Sequence, residues 1–262
     1  MRDIIVLDHA TCINTEPLIA ELWPGANKPL IVNMPAEPSP EKYKVRLREM
    51  RTRGEGKPLL NLFLGGKIES GEAGRIALIG FGMTGCVGLL ELLNDVGTQE
   101  RVDFVGAIDG LRGKKHEGQL LHNRAWAQMA ERAAAGKACM CITYSHLRGF
   151  GFPSTRDSAL HLAQMVGAFL PKSDDSRPLA ATWGLNGKGL KAQEYSFKGD
   201  LHFIGAWPEG TLGEDGSAHV YHCTAIQSGV WRHFLVPRWT AEPGEAGYQP
   251  PTSFCQPSAL PA

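Results

Sequence analysis

The chain has 262 residues, enough for a single α/β domain with a large hydrophobic core. Lys plus Arg and Asp plus Glu both total 27, so the formal net charge is zero and no overall field attracts nucleic acid or an acidic membrane. No apolar run approaches the ~20 residues of a membrane span, and the amino-terminal apolar stretch is too short for a signal peptide. We therefore expect a soluble, cytoplasmic protein without a nucleic-acid partner.

The amino-terminal part of the chain alternates apolar runs with polar segments. Apolar runs at residues 4–7, 30–34 and 59–64 have the character of strands. Residues 41–53 form a predicted basic helix. We expect its charges to face solvent, because only Tyr43 supplies an aromatic ring for stacking on nucleic acid.

Residues 75–93 are the stretch on which the functional hypotheses depend. An apolar strand pattern at 76–79 runs into a turn containing Gly80, Gly82 and Gly85, and an apolar helix pattern follows. α/β proteins place chemistry at such strand-turn-helix junctions, since a helix amino terminus offers free backbone N–H groups. The pattern permits two interpretations of the turn.

The first interpretation is dinucleotide binding. The three glycines spell G-x-G-x-x-G between a strand and a helix, as in a dinucleotide fingerprint. A second apolar run at residues 102–108 ends in Asp109, about where a ribose-binding carboxylate is expected. A nicotinamide-type dinucleotide would then be the cofactor.

The second interpretation is the nucleophile elbow of an α/β-hydrolase, in which small residues flank a nucleophile on a sharp turn. About three strand-like runs precede the turn, whereas dinucleotide folds usually carry their fingerprint on the first strand of the unit. The order of the runs therefore favours the elbow. No cofactor and no metal is expected in that case.

The remainder of the chain continues the alternation of strands and helices. Strands are predicted at residues 102–108, 138–144 and 201–207, and helices at 123–135, 154–170 and 218–234. The helix at 123–135 is expected to carry an apolar face made of Ala125, Trp126, Met129, Ala130 and Ala133. Residues 174–189 are predicted to be a polar surface excursion or a small lid. The pattern indicates a single-domain α/β fold over residues 1–240, with a central, mostly parallel sheet and helices on both faces. Residues 241–262 form a Pro-, Gly- and Ser-rich tail, predicted to be irregular and a candidate arm for an assembly partner.

The cysteines do not have the spacing of a metal site. Cys139 and Cys141 lie within an apolar run and are expected to pack as small hydrophobic residues. His219 and His222 are three residues apart and are a possible metal pair, but no acidic ligand is placed beside them.

Five segments carry a resemblance to a known family. They are the turn at residues 80–86, the run at 102–111, the segments at 142–146 and 149–155, and the stretch from 218 to 239. Together, and in this order, they resemble α/β-hydrolase-like proteins associated with bacterial and phage genomes. The turn is similar to an elbow of the form I-G-F-S-M-G-G-C-V-G-L-L. It differs at Gly82, which stands where the serine is expected, and at Thr84, which stands where a glycine is expected.

The resemblance implies that Gly82 occupies the nucleophile position, that Asp109 is the acid and that His219 is the base. The order nucleophile, acid, histidine is that of hydrolases. Because glycine has no hydroxyl, no acyl-enzyme can form at position 82. The resemblance therefore implies a degenerate hydrolase-like site used for binding or assembly, with a virion-associated location as one expectation. An active ester or amide hydrolase with an unusual nucleophile remains the alternative within the same family.

Overall fold

The structure is a computed structural model. It describes residues 2–8, 23, 25–33, 45, 48–50, 52–53, 59–94, 98–108, 110, 124–144, 178–185, 188–196 and 200–208. The strands are β1 (Arg2–Asp8), β2 (Leu30–Asn33), β3 (Arg75–Phe81), β4 (Val102–Ile108), β5 (Cys139–Tyr144), β6 (Pro178–Leu185), β7 (Lys188–Ser196) and β8 (Leu201–Pro208). The helices are α1 (Leu59–Phe63), α2 (Lys67–Ser70), α3 (Gly82–Leu93), α4 (Thr98–Arg101) and α5 (Arg124–Ala134). Residues 45, 48–50 and 52–53 are also helical, within the predicted basic helix.

These strands form one sheet in the order β2-β1-β3-β4-β5-β8-β7-β6. The six strands from β2 to β8 pair in parallel, whereas β6, β7 and β8 pair antiparallel. The prediction of an α/β fold with a mostly parallel sheet is therefore confirmed. Both faces of the central strands are buried, which explains their nearly continuous apolar sequences.

One face of the sheet carries a core shared with α1, α3 and α5. Alternate strand residues, such as Leu7 on β1 and Leu78 on β3, pack there against Leu89 of α3 and Trp126 of α5. The predicted buried face of α5 is confirmed, and Gly136, with φ 68°, follows its last turn. Burying each large apolar side chain of this core contributes roughly 1.5–3 kcal/mol.

On the opposite face, the structure describes Trp23 packed edge-on against Phe104, with ring centroids 4.9 Å apart. The predicted helices at residues 154–170 and 218–234 lie outside the described residues, as does the tail at 241–262. The coverage of this second face by helices therefore stays a prediction.

Two predictions about secondary structure are wrong. Residues 59–64 were expected to be a strand, but Leu59–Phe63 form α1, in which Leu59 and Leu60 are buried. A short apolar run has no periodicity that distinguishes a strand from a helix. Here the helix forms because it packs its leucines on the face of the sheet. The described part of the segment at 174–189 is strand rather than a polar excursion, since β6 and β7 pair with each other and β7 pairs with β8.

Candidate functional site

The turn between β3 and α3 is unusually sharp. Phe81 is extended, with φ −102° and ψ 134°, and the helix begins at the next residue. Gly82 takes φ 59°, in the left-handed region that residues with a side chain rarely adopt. The chain thus passes from strand to helix at a single residue. The phenyl ring of Phe81 cannot cap the helix, so the first N–H groups of α3 have no side-chain cap from this position.

Two further glycines allow the helix to pack directly on the sheet. A Cβ at Gly80 would lie 2.6 Å from the carbonyl oxygen of Gly85 and 2.7 Å from the Leu89 side chain. A Cβ at Gly85 would lie 2.6 Å from the carbonyl oxygen of Leu7. All three separations are shorter than non-bonded carbon contacts permit, so glycine at these positions is a packing requirement.

The position of the turn in the sheet is that of a ligand site in open α/β folds. Strand β3 lies between β1 and β4, and β2 lies on the other side of β1. The strands that follow β1 in the chain therefore lie on both sides of it, and the topology switches between β1 and β3. Ligands in such sheets bind in the crevice outside the carboxyl ends of the strands at the switch point. Gly82 lies at that end of β3.

The chain leaving β4 packs against the same turn. Ile108, the last residue of β4, pairs with Phe81. Gly110 packs so closely on Gly82 and Cys86 that a Cβ there would overlap the Gly82 carbonyl oxygen and the Cys86 sulfur. Residues 108 and 110 thus both lie beside the turn. Sequence reasoning did not identify this role of Gly110, because a contact between two loops has no local signal.

Asp109 and His219, the other two predicted site residues, lie outside the described residues. The structure therefore describes Gly82, which lies at the predicted strand-to-helix bend. It also describes Ile108 and Gly110, the two neighbours of Asp109. The distance from His219 to the turn stays untested.

Cys86 is the nearest described thiol to the turn. It lies on α3, beneath the turn. Its Sγ is 3.9 Å from the carbonyl oxygen of Gly80, and the side chain is fully buried. A thiol enclosed in this way is not accessible to a substrate in the crevice. Cys139 and Cys141 are also buried thiols, in agreement with their predicted role as small hydrophobic residues.

The part of the chain that the structure describes contains neither a metal-ligand cluster nor a membrane-spanning helix. No group of three or more His, Cys, Asp or Glu side chains there is placed to hold a metal ion. None of the helices in the described ranges is long and apolar enough to cross a bilayer.

Comparisons with protein-family models, curated proteins and solved structures found no match to this chain. The functional assignment therefore depends on the geometry of the turn and on the residues around it.

Proposed function

We propose that the protein is an α/β-hydrolase-like protein whose nucleophile position is occupied by Gly82, and that it serves binding or assembly rather than covalent catalysis. The left-handed backbone at Gly82 carries this proposal. A nucleophile elbow holds its central residue on a strained strand-to-helix turn, exposed at the carboxyl end of the sheet. The φ of 59° at Gly82 and the immediate start of α3 are the geometry that such a turn needs.

The absence of a side chain at Gly82 is the reason for a non-covalent role. Loss of the nucleophile in a serine hydrolase leaves roughly 10³–10⁴-fold catalysis over water, which comes from the oxyanion hole and binding. The fully buried Cys86 is not positioned to replace the missing hydroxyl. What remains at the turn is a helix amino terminus at the carboxyl end of the sheet, and such a terminus suits the binding of a carbonyl or carboxylate oxygen.

The alternative within the same family is an active ester or amide hydrolase. In that case His219 acts as the base, Asp109 orients its imidazole, and the pair activates a water molecule that replaces the missing hydroxyl. The close packing of residues 108 and 110 on the turn is the observation that favours a role for Asp109.

Restoring the elbow tests the proposal directly. The double variant Gly82→Ser/Thr84→Gly should acquire hydrolysis of p-nitrophenyl acetate, because a hydroxyl would then stand on the turn beside the proposed acid and base. The matched control is Gly82→Ala/Thr84→Gly, which adds the same backbone strain without a hydroxyl. Equal rates for the two variants would contradict the elbow. Activity of the unaltered chain that depends on His219 would favour the active-hydrolase alternative.

A second candidate function is dinucleotide binding through Gly80, Gly82 and Gly85. The observation that favours it is the close approach of Gly85 to β1 and to Gly80, since the third glycine of a fingerprint permits such strand–helix packing. However, the turn lies on β3, after two described strands, rather than on the first strand. Titration with NADH, followed by its fluorescence, should show no saturable binding at micromolar concentrations. Saturable binding that is lost in Gly82→Ala would establish the dinucleotide function.

The proposed binding role includes assembly, for which residues 241–262 are the candidate arm. The expected resemblance to proteins from phage genomes extends the proposal to a virion-associated location. Deleting residues 241–262 should leave the thermal unfolding midpoint unchanged but reduce association measured by sedimentation velocity. Unchanged sedimentation would exclude the arm from self-assembly.

A further inference from the structure

A groove of about 610 Å³ lies between α4, α5 and the carboxyl end of α3. Gln99 joins its walls, because its Nε2 donates hydrogen bonds to the carbonyl oxygen of Leu93 and to Oε1 of Gln128, at 3.0 and 3.2 Å. Arg124, Gln128 and Arg132 follow at intervals of four residues on α5, so they share one side of the helix along the groove.

The groove carries an excess of positive charge. Three basic side chains line it, Arg124, Arg132 and Lys137, together with two acidic ones, Glu100 and Glu131. Both glutamates are exposed, and so are Arg124 and Lys137, so water screens all four of these charges. The lining therefore has one net positive charge, and its most enclosed charged group is basic.

Arg132 is that enclosed group. Its Nη1 is buried and has no hydrogen-bond partner among the described residues. Burial lowers the pKa of this guanidinium, although the negative charges of Glu100 and Asp103 oppose the effect. Asp103 is itself within 2.6 Å of Arg75 Nε, measured from its Oδ2. Nη1 of Arg132 thus has no hydrogen bond within the described protein, and Glu100 and Asp103 are the two acids that act on its charge.

We propose that this groove is a binding site for a small molecule that presents an oxyanion, a carboxylate or a phosphate, to Arg132. Because Nη1 is enclosed by protein, the other N–H donors of the guanidinium would contact such a group, and the bond is charge-assisted on both sides. Arg124 and Lys137 add attraction from the two ends of α5, and the side-chain amide of Gln128 supplies a neutral polar contact. The single net positive charge suits one oxyanion rather than a polyphosphate chain.

The site is separate from the Gly82 turn. Gln99 and Glu100 precede β4, and Lys137 precedes β5, so the part of the groove around Arg132 lies at the amino ends of these strands. The turn lies at their carboxyl ends, and a seven-residue strand separates the two edges by roughly 20 Å. Binding in the groove therefore does not depend on the proposed function of the turn.

Side-chain amide NMR of Gln99 and Gln128 in the full chain provides a local readout. Titration with sodium acetate or sodium phosphate should shift these resonances with saturation at millimolar concentration, while sodium chloride at equal ionic strength should not. Tighter binding of acetate would identify a carboxylate ligand, and tighter binding of phosphate a phosphate ester. Arg132→Gln should weaken binding by at least about tenfold, as loss of a charge-assisted hydrogen bond implies.

Two variants complete the test. Arg132→Lys keeps the charge but removes the paired donors, so an intermediate affinity is expected and the result stands even if Arg132→Gln fails to fold. Arg101→Gln removes an exposed basic group that does not line the groove and should leave both affinities unchanged. Shifts that do not saturate, or equal affinities in the unaltered chain and Arg132→Lys, would overturn the proposal.

Discussion

Gly110 packs against the carbonyl group of Gly82, so the loop after β4 and the turn after β3 form one close-packed unit at the carboxyl edge of the sheet. A methyl group at position 110 would overlap that carbonyl oxygen and the sulfur of Cys86. Because a backbone carbonyl in a helix cannot swing aside as a flexible side chain does, Gly110→Ala should lower the free energy of unfolding by about 3 kcal/mol, the upper end of the usual overpacking cost. Urea unfolding followed by circular dichroism measures this change.

Gly136→Ala is the control for this variant. Gly136 has φ 68°, but a Cβ there meets no atom within 4 Å. Its substitution should therefore cost only the roughly 1–2 kcal/mol of a left-handed backbone. A smaller loss for Gly110→Ala than for Gly136→Ala would show that the two loops are not tightly packed.

Asp3 joins the start of β1 to three other segments, and this predicts a pH-dependent contribution to stability. Its carboxylate accepts hydrogen bonds from the backbone N–H of Gly74, at 2.8 Å, from Asn27 and from Lys67. Burial by itself raises the pKa of this carboxyl. The hydrogen bonds from Gly74, Asn27 and Lys67 outweigh burial and lower the pKa below its ordinary value of 3.8.

A lowered pKa in the folded state means that the ionised carboxyl stabilises the fold above pH 3.8, and that this contribution is lost as the pH falls through the folded-state pKa. Asp3→Asn turns one acceptor oxygen into a donor that faces other donors. It should cost about 1–3 kcal/mol at pH 7. The difference from the unaltered chain should shrink below pH 3.8, as measured by urea unfolding across pH. A difference that stays constant into strong acid would contradict the assigned hydrogen bonds.

Thr143 on β5 is fully buried, and its hydroxyl oxygen has no hydrogen-bond partner among the described residues. Thr143→Val replaces this hydroxyl with a methyl group of similar shape. Removing an unsatisfied polar group should therefore stabilise the protein by about 1 kcal/mol, seen as a higher thermal midpoint. Thr143→Ser, which keeps the hydroxyl and leaves a small cavity, should destabilise it. A destabilised Thr143→Val would reveal a partner outside the described residues.

The proposed acid and base can be tested in the serine-restored background. With Gly82→Ser/Thr84→Gly present, His219→Ala should return ester hydrolysis to the background rate, and Asp109→Asn should lower it at least about 100-fold because the imidazole loses its orienting carboxylate. His222→Ala, three residues away, should have little effect. Hydrolysis rates that do not change in His219→Ala would contradict the assignment of His219 as the base, even if the restored serine were reactive.

Sequence reasoning succeeded where one strong pattern extended over several residues. The apolar run at residues 102–108 is β4 with the same bounds, and the period-four apolar face predicted on α5 is the one that the sheet buries. The glycine turn at 80–85 was located correctly because glycine marks both a left-handed backbone and close packing. In each case the residue pattern of the segment is compatible with few local backbone structures.

Sequence reasoning was wrong where contacts between segments distant along the chain determined the structure. The segment that contains β6 and β7 looks polar and glycine-rich, yet the strands pair with each other and extend the sheet beyond β8. In the sequence, Asn186-Gly187 stands between the two strands, and such a dipeptide is a typical signal for a two-residue hairpin. Likewise, α1 is helical because the sheet face buries Leu59 and Leu60, and the short apolar run at residues 59–64 does not encode this by itself.

The sequence by itself determined the α/β class and the place of the strand-to-helix bend, because apolar periodicity and glycine act through the local backbone. Only the tertiary structure decided that the bend lies at the switch between β1 and β3, that Gly110 closes on Gly82, and that Arg132 stands half-buried in a basic groove. Those relationships join residues that are distant along the chain. They arise from strand order and packing, which no short stretch of sequence specifies.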